Sequence, residues 1–210
     1  MRSTSVLLAA ECVLVMACGG GGGGGGSTAP AVSTLSVSLP ATTMVSGTNM
    51  QASATLDGVA ASGVTWTSSD RDIISVTSDG VLTASFQGNA VITATKGPLR
   101  ATAIVMVTPG APVLLRIYAG DGQSAPAGGR LTDPLCTIVV DATGNLIKNL
   151  AVSYTVTTGG GALEQPTAPV TNAQGIAIAG AWTLGATKGQ QTVVASYGSL
   201  PPVTFKATAQ

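Results

Sequence analysis

An all-β protein built from sandwiches is what this 210-residue sequence predicts, on three observations. Charged residues make up 9% of the chain and aromatics 3%, so the 45% hydrophobic content is carried mainly by Ala, Val, Leu and Ile, with Ser and Thr as the polar complement. Globular chains ordinarily carry about a quarter charged residues, and β-branched residues interleaved with hydroxyls suit strands that have one wet face. Short alternating or β-branched segments recur along the chain between turns rich in Gly, Asp and Pro, the spacing of a sandwich. No stretch sustains a 3.6-residue apolar period between caps, so little helix is expected.

The first element lies outside that fold. Arg2 gives a short positive start, and Val6 to Ala17 is an apolar run too short for a spanning helix of about 20 residues. Its length and its small terminal residues read as a secretory signal over residues 1–17, weakened by Glu11 within the run. The closing residues Val15-Met16-Ala17-Cys18 resemble the lipobox of bacterial lipoproteins. That resemblance implies cleavage before Cys18, a diacylglycerol on its thiol and acylation of the new amino terminus. Stable anchoring takes at least two acyl chains, and one such residue supplies them. The competing reading is a cytosolic N-terminus that is apolar by chance.

Gly19 to Gly26 follow Cys18 without interruption. Residues 18–32 are therefore expected to be a lipidated Cys and its tether, too poor in apolar side chains to fold, with a coil span on the order of 20 Å. Gly19 stands where lipoproteins retained at the inner membrane tend to have Asp, so the resemblance favours the outer membrane of a Gram-negative envelope. Of the three cysteines, Cys12 leaves with the leader and Cys18 is acylated. Cys136, in the strand-like run PLCTIVVD, is left without a disulfide partner and is expected to be a buried, inert thiol.

The first folded module is expected over residues 33–108. Its strand candidates are TLSVSL, MQASATL, VTWTS, ISVTS, AVITAT and ATAIVMVT, with a hairpin turn at Ser78-Asp79-Gly80. Pro109, Gly110 and Pro112 break the pattern and mark a boundary. The second module, residues 109–210, offers VLLRIYA, LCTIVVD, LAVSYTV, AIAGAWTL, QTVVASY and VTFKATA, with turns at DATGN, TTGGGA and TNAQG. The halves do not align closely, so they read as two different sandwiches and not as a recent duplication.

The run GVTWTSSDRDIISVTSDGVLTASFQGNAVITAT, Gly63 to Thr95, resembles the group 2 bacterial immunoglobulin-like domain in its Trp-flanked strand, its Ser-Ser-Asp turn and the rhythm Gly88, Ala90, Ile92, Ala94. The second module resembles the group 1, invasin- and intimin-type, bacterial immunoglobulin-like domain. It carries GDGQ at Gly120, DPL at Asp133, DATGN at Asp141, TGGGAL at Thr158, TNAQG at Thr171, WTLG at Trp182 and GQQTVVA at Gly189. It departs after Asn145, where Leu146-Ile147-Lys148 stands in place of the family's Pro. The resemblances imply two tandem immunoglobulin-like sandwiches. With the family rhythm, Val64, Trp66, Ala90, Ile92 and Ala94 should face the core, and Thr65, Thr67, Val91 and Thr93 the solvent. Trp66 should fill the centre that a disulfide occupies in secreted antibody domains.

Chemistry-bearing residues are scarce. Formal net charge is zero, so no field gathers phosphates and nucleic acid is not an expected partner. The chain has no His, which removes the commonest general base and metal ligand and any Ser-His-Asp triad. Cys136 has no Cys or His partner for zinc. GDGQ and TTGGGA lack the Lys and helix of a phosphate cradle, and Glu164 has no evident carboxylate partner for glycoside cleavage. No cofactor, metal or catalytic residue is expected, and the chain reads as a non-enzyme. Asp70 and Asp72 around Arg71 are candidates for a weak calcium site, against ordinary turn chemistry; Asp141 lies near Asn145. Most of the seven aromatics should be buried, Trp182 being the candidate for an exposed sugar-stacking platform. Ile104 and Met106 alternate with Val105 and Val107, so that strand is apolar on both faces and is either covered or part of an interface.

The expected function is a membrane-anchored, surface-exposed adhesion or interaction module. Its partners would be membrane lipid through Cys18 and a protein or glycan ligand at the distal second domain. Two alternatives stay open: a passive envelope spacer without ligand, and a carbohydrate-binding module.

Overall fold

The computed structural model describes residues 32–165 and 168–210. The signal peptide expected over residues 1–17, the lipidation expected at Cys18 and the expected tether as far as residue 31 lie outside them. Every helix or strand among the described residues is a strand. The chain divides into two compact units at Thr108 and Pro109.

The first unit runs β1 Leu35–Ser38, β2 Thr43–Val45, β3 Asn49–Gln51, β4 Ser53–Leu56, β5 Val59–Ala60, β6 Thr65–Ser68, β7 Ile74–Val76, β8 Val81–Ala84, β9 Gly88–Lys96 and β10 Leu99–Thr108. One layer is the sheet β2-β10-β9-β6. The other combines β1-β4-β5 with β3-β8-β7, and the two are continuous because Ala52 alone separates β3 from β4. The first strand changes layers: β1 pairs antiparallel with β4, and after Pro40 the chain continues as β2, parallel to β10. Proline has no N–H to give a ladder, so it sits where pairing must stop.

Alternation builds the core between these layers. Ala90, Ile92, Ala94, Val105 and Val107 are buried from β9 and β10, and they meet Leu35, Val37, Ile74 and Leu82 from the opposite layer. Trp66 packs against both core clusters of the unit, but it is half-buried on edge strand β6, so it bridges the clusters from the side and does not fill the centre as expected. Ser78-Asp79-Gly80 does close the β7–β8 hairpin, with Thr77 and Val81 bonded across it. Gly80 has φ +81°, and a Cβ there would lie 2.9 Å from the Ala52 carbonyl and against the Trp66 ring, so glycine is required. One expectation needs correction. Thr93 lies on the outer face yet is buried, because β9 is an interior strand. Thr67 and Thr102 flank it in register, and Arg100 donates to its hydroxyl at 3.4 Å.

The second unit runs β11 Leu114–Ala119, β12 Gln123–Ala125, β13 Cys136–Val140, β14 Ser153–Thr158, β15 Gly161–Leu163, β16 Ile176–Ile178, β17 Trp182–Leu184, β18 Gly189–Ser196 and β19 Val203–Ala209. Its sheets are β11-β13-β16, β12-β19-β18-β14 and the pair β15-β17. The opening move of the first unit is repeated: β11 pairs antiparallel with β13, and β12 then runs parallel to β19. Here Gly120 makes the switch at φ +93°, its α-carbon so close to Pro134 that a Cβ would fall 2.3 Å from that carbonyl. Two sequences that do not align thus reach the same layered topology. Phe205, Trp182, Leu115, Val139 and Val193 lie in the core, with Tyr154 and Phe205 rings 6.0 Å apart. Full burial of such side chains is worth about 1.5–3 kcal/mol each.

Candidate interaction surface

The reactive side chains are committed to structure. Cys136 is 6% exposed and its Sγ–H points to the Pro134 carbonyl at 3.6 Å. Burial pushes the thiol up from its ordinary range, which disfavours the nucleophilic thiolate. Tyr154 donates its buried hydroxyl to the Ala177 carbonyl at 3.0 Å and shares a 2.7 Å hydrogen bond with the Thr137 hydroxyl. Desolvation raises this phenol from 10 to about 12. Glu164 accepts the Ala181 amide at 3.1 Å and the Arg130 guanidinium at 2.8 Å; the amide first and the cation second hold its carboxyl below the usual range.

The acidic loop candidates are turn chemistry in their geometry. Asp70 Oδ1 accepts the amides of Asp72 and Ile73 at 2.9 and 3.3 Å, an Asx turn that spends one of its oxygens. Asp141 is buried in the segment leaving β13. Its Oδ1 accepts Thr143 N, the Thr143 hydroxyl and Asn145 N, and its Oδ2 accepts Asn145 Nδ2 and Gly110 N, all within 2.8–2.9 Å. It is a clasp on the first residues of the second unit. Among the described residues no group of three His, Cys, Asp or Glu side chains could hold a metal ion.

The aromatic assignment needs correction as well. Trp182 is fully buried in β17, so it is no sugar platform. It stands opposite Leu163 of the paired strand β15 and within the main core cluster. The exposed rings are Tyr118 and Phe86. Tyr118 faces outward in phase with exposed Arg116, while Leu115 and Ile117 point into the core. Phe86 sits in the turn between β8 and β9, which strand periodicity does not govern.

Sequence reasoning also missed Gln191, whose carbonyl accepts Gly185 N at 2.8 Å and whose amide donates to the carbonyls of Gly185 and Thr187 at 3.1 and 2.8 Å. The available signal was its place in phase with inward Val193 and Ala195 on β18.

What remains on the surface is apolar where water would favour polar groups. In the first unit Ile104 is 64% and Met106 45% exposed on the outer face of β10. Ile104 stands beside Val91, and Met106 lies between Thr43 and Asn89; Val45 continues the strip on β2. Of the two fates open to this strand, cover or interface, no described segment supplies the cover. In the second unit Tyr118 and Ile178 are exposed on the outer side of β11-β13-β16, around half-buried Ile138 and Ile176. These are the two outer faces on which large apolar side chains are exposed together among the described residues.

Residues 31–106 match the family described as Bacterial Ig-like domain (group 2). No curated protein matches the chain. Among solved structures, domains 4 and 5 of the S-layer protein SbsC are 16% identical, with 84% of this chain and 96% of that one covered and a TM-score of 0.38. The D00-D0 domain of Intimin is 16% identical, with 83% and 96% covered and a TM-score of 0.42. The Yersinia pseudotuberculosis adhesin InvE is 15% identical, with 85% and 58% covered and a TM-score of 0.39. The chain spans 28% of the longer S-layer structure rSbsC(31-844). The architecture is all-β, in tandem immunoglobulin-like sandwiches.

Proposed function

We propose that this chain is a membrane-anchored, surface-exposed, non-enzymatic interaction module. It would be held to the envelope by acylated Cys18 and present the outer faces of its sandwiches to a partner. The observation that carries the reading is the apolar outer strip of Ile104, Met106 and Val45, with its counterpart at Tyr118 and Ile178. A sheet face left in water is ordinarily polar, and contiguous exposed apolar surface marks an interaction site. A chain without His, whose one described thiol is buried, is suited to contact and not to bond breaking. The anchoring part rests on Val15-Met16-Ala17-Cys18, the outer-membrane assignment on Gly19, and the invasin-type assignment of residues 109–210 on the motifs from Gly120 to Gly189.

The test is a pull-down from intact cells with the full chain, beside the double variants Ile104→Asp/Met106→Asp and Tyr118→Asp/Ile178→Asp. A saturable partner held by the parent and lost by one variant supports the reading; equal retention by all three counts against it. A passive spacer is the second reading. It is favoured by the first unit's ends: the chain enters beside the Thr34–Asp57 contact and leaves at Thr108 beside Val45, at opposite ends of the sandwich.

A further inference from the structure

The N-terminal end of the first unit is built differently from its other end. The β4–β5 hairpin turns on Asp57 and Gly58, both at positive φ (51° and 81°), the two-residue turn chemistry that matches strand twist. It projects Val59, 71% exposed although paired with Leu56. Val32 is exposed at the same end, where the Thr34 amide donates to the Asp57 carboxylate and the Asp57 amide donates to the Thr34 carbonyl. The β9–β10 hairpin, with exposed Gly97 and Pro98 at its tip, closes this end too: its Lys96 Nζ donates to the Ser62 carbonyl, three residues beyond Val59. Arg100 follows on β10, opposite Thr95. The carboxylates Asp70 and Asp72 belong to the other end, where Ser69 pairs with Val91 and Ile73 lies against Gly88.

We propose that this end is a lipid-contacting tip that rests on an anionic bilayer surface, Val59 and Val32 entering the headgroup boundary and Lys96 and Arg100 meeting the phosphates. Two features select lipid as the occupant. The described residues begin at Val32, so whatever holds residues 1–31 is delivered to this end. The charges are complementary as well: Lys96 and Arg100 flank this end, whose turn carboxylate, Asp57, already accepts the Thr34 amide through Oδ1, and Arg100 would exchange its long 3.4 Å bond to the Thr93 hydroxyl for a phosphate. The proposal rests on the anchoring reading for its proximity. An exposed valine and two cations bind a free bilayer weakly, each cation near an anionic surface being worth about fivefold. A short flexible linker, however, imposes an effective concentration of about millimolar, and residues 19–31 have the composition of one. A weak tip is then populated in the anchored chain.

The experiment uses the full chain extracted from membranes and reconstituted into vesicles of phosphatidylglycerol with phosphatidylcholine, or of phosphatidylcholine alone, each with brominated acyl chains. Val59→Trp places an indole at the tip, and its fluorescence minus that of the parent reads lipid contact. The mass of the N-terminal peptide separately reads acylation of Cys18. Circular dichroism checks that each variant is folded. Quenching on anionic vesicles, weakened about fivefold by Lys96→Gln and again by Arg100→Gln, supports the tip. Quenching without an acyl group supports the tip and sinks the anchoring reading. Acylated protein whose indole is unquenched overturns the tip and leaves the anchoring reading standing, and an unquenched indole without acylation overturns both. Quenching that is equal on phosphatidylcholine alone overturns the anionic assignment.

Discussion

Asp141 accepts the backbone amide of Gly110 through Oδ2 at 2.8 Å, across a buried contact between the entry segment of the second unit and the segment leaving β13. The same carboxylate organises Thr143 and Asn145. Bonds to a charged acceptor are worth about 1.5–3 kcal/mol each, and buried donors left without one are costly. Asp141→Ala is therefore expected to destabilise the second unit by about 3 kcal/mol or more. Asp141→Asn should cost less, since one acceptor oxygen remains. Thermal unfolding followed at Trp182 checks this, a unit of this size losing about 4–8 °C per kcal/mol. An unmoved midpoint in Asp141→Ala would remove the clasp.

Tyr154 gives the fold an alkaline limit. Its phenol ionises at about 12 in the folded chain, chiefly because burial disfavours the anion, against an ordinary 10. Between those values the unfolded chain has released a proton that the folded chain still binds, so stability is complete below pH about 10 and falls as pH rises toward 12. The loss is about 2 kcal/mol at the upper limit. Tyr154→Phe should lower stability at neutral pH by about 1 kcal/mol, through the unpaired Thr137 hydroxyl and Ala177 carbonyl, and should flatten the alkaline slope. Denaturant midpoints of both proteins from pH 9 to 12 decide it.

The legible part of this fold is the part governed by alternation. Ala90, Ile92 and Ala94 face inward as their spacing requires, and the Ser78-Asp79-Gly80 turn announces its hairpin through glycine's freedom at positive φ. What stayed hidden sits where alternation is interrupted or its residue type misleads. Tyr118 is in the outward phase with Arg116, but its aromatic type suggests burial. Trp182 occupies a strand of only three residues, too short to display a period. Gln191 is in the inward phase, but its polarity suggests solvent until its amide is seen to satisfy Gly185 and Thr187. The apolar character of both faces of β10 was readable, whereas which face lay open depends on what packs over it.

Trp182 is a core residue with an unpaired donor, its buried Nε1–H having no acceptor. Trp182→Ala should cost about 3–5 kcal/mol, the range for emptying an aromatic site. Trp182→Phe should cost clearly less, because it removes a buried donor whose desolvation is worth about 1–3 kcal/mol while keeping most of the ring. Its emission should be blue-shifted and resist acrylamide more than that of half-buried Trp66. Facile quenching in the Trp66→Phe protein, or an Ala variant as stable as the parent, would contradict its placement.

Gly159 and Gly160 form a matched pair that separates backbone strain from collision. Both adopt positive φ, 79° and 76°, so an alanine at either incurs the left-handed penalty, roughly 1–2 kcal/mol. Around Gly160 nothing lies within 4 Å of an added Cβ, whereas at Gly159 that carbon would fall 2.1 Å from Cγ of Gln191. Gln191 cannot retreat without giving up its bonds to Gly185 and Thr187, and those bonds hold the turn between β17 and β18. Gly159→Ala should therefore be at least about 2 kcal/mol worse than Gly160→Ala, strain and lost buried bonds adding together. Gln191→Ala removes the Cγ and Cδ collisions at Gly159 but keeps a Cβ 2.7 Å from the added carbon, so in its background the gap between Gly159→Ala and Gly160→Ala should narrow without closing. A double-mutant cycle by urea denaturation measures this coupling directly. Equal costs of the two glycine substitutions with Gln191 intact would show that the glutamine does not hold the turn.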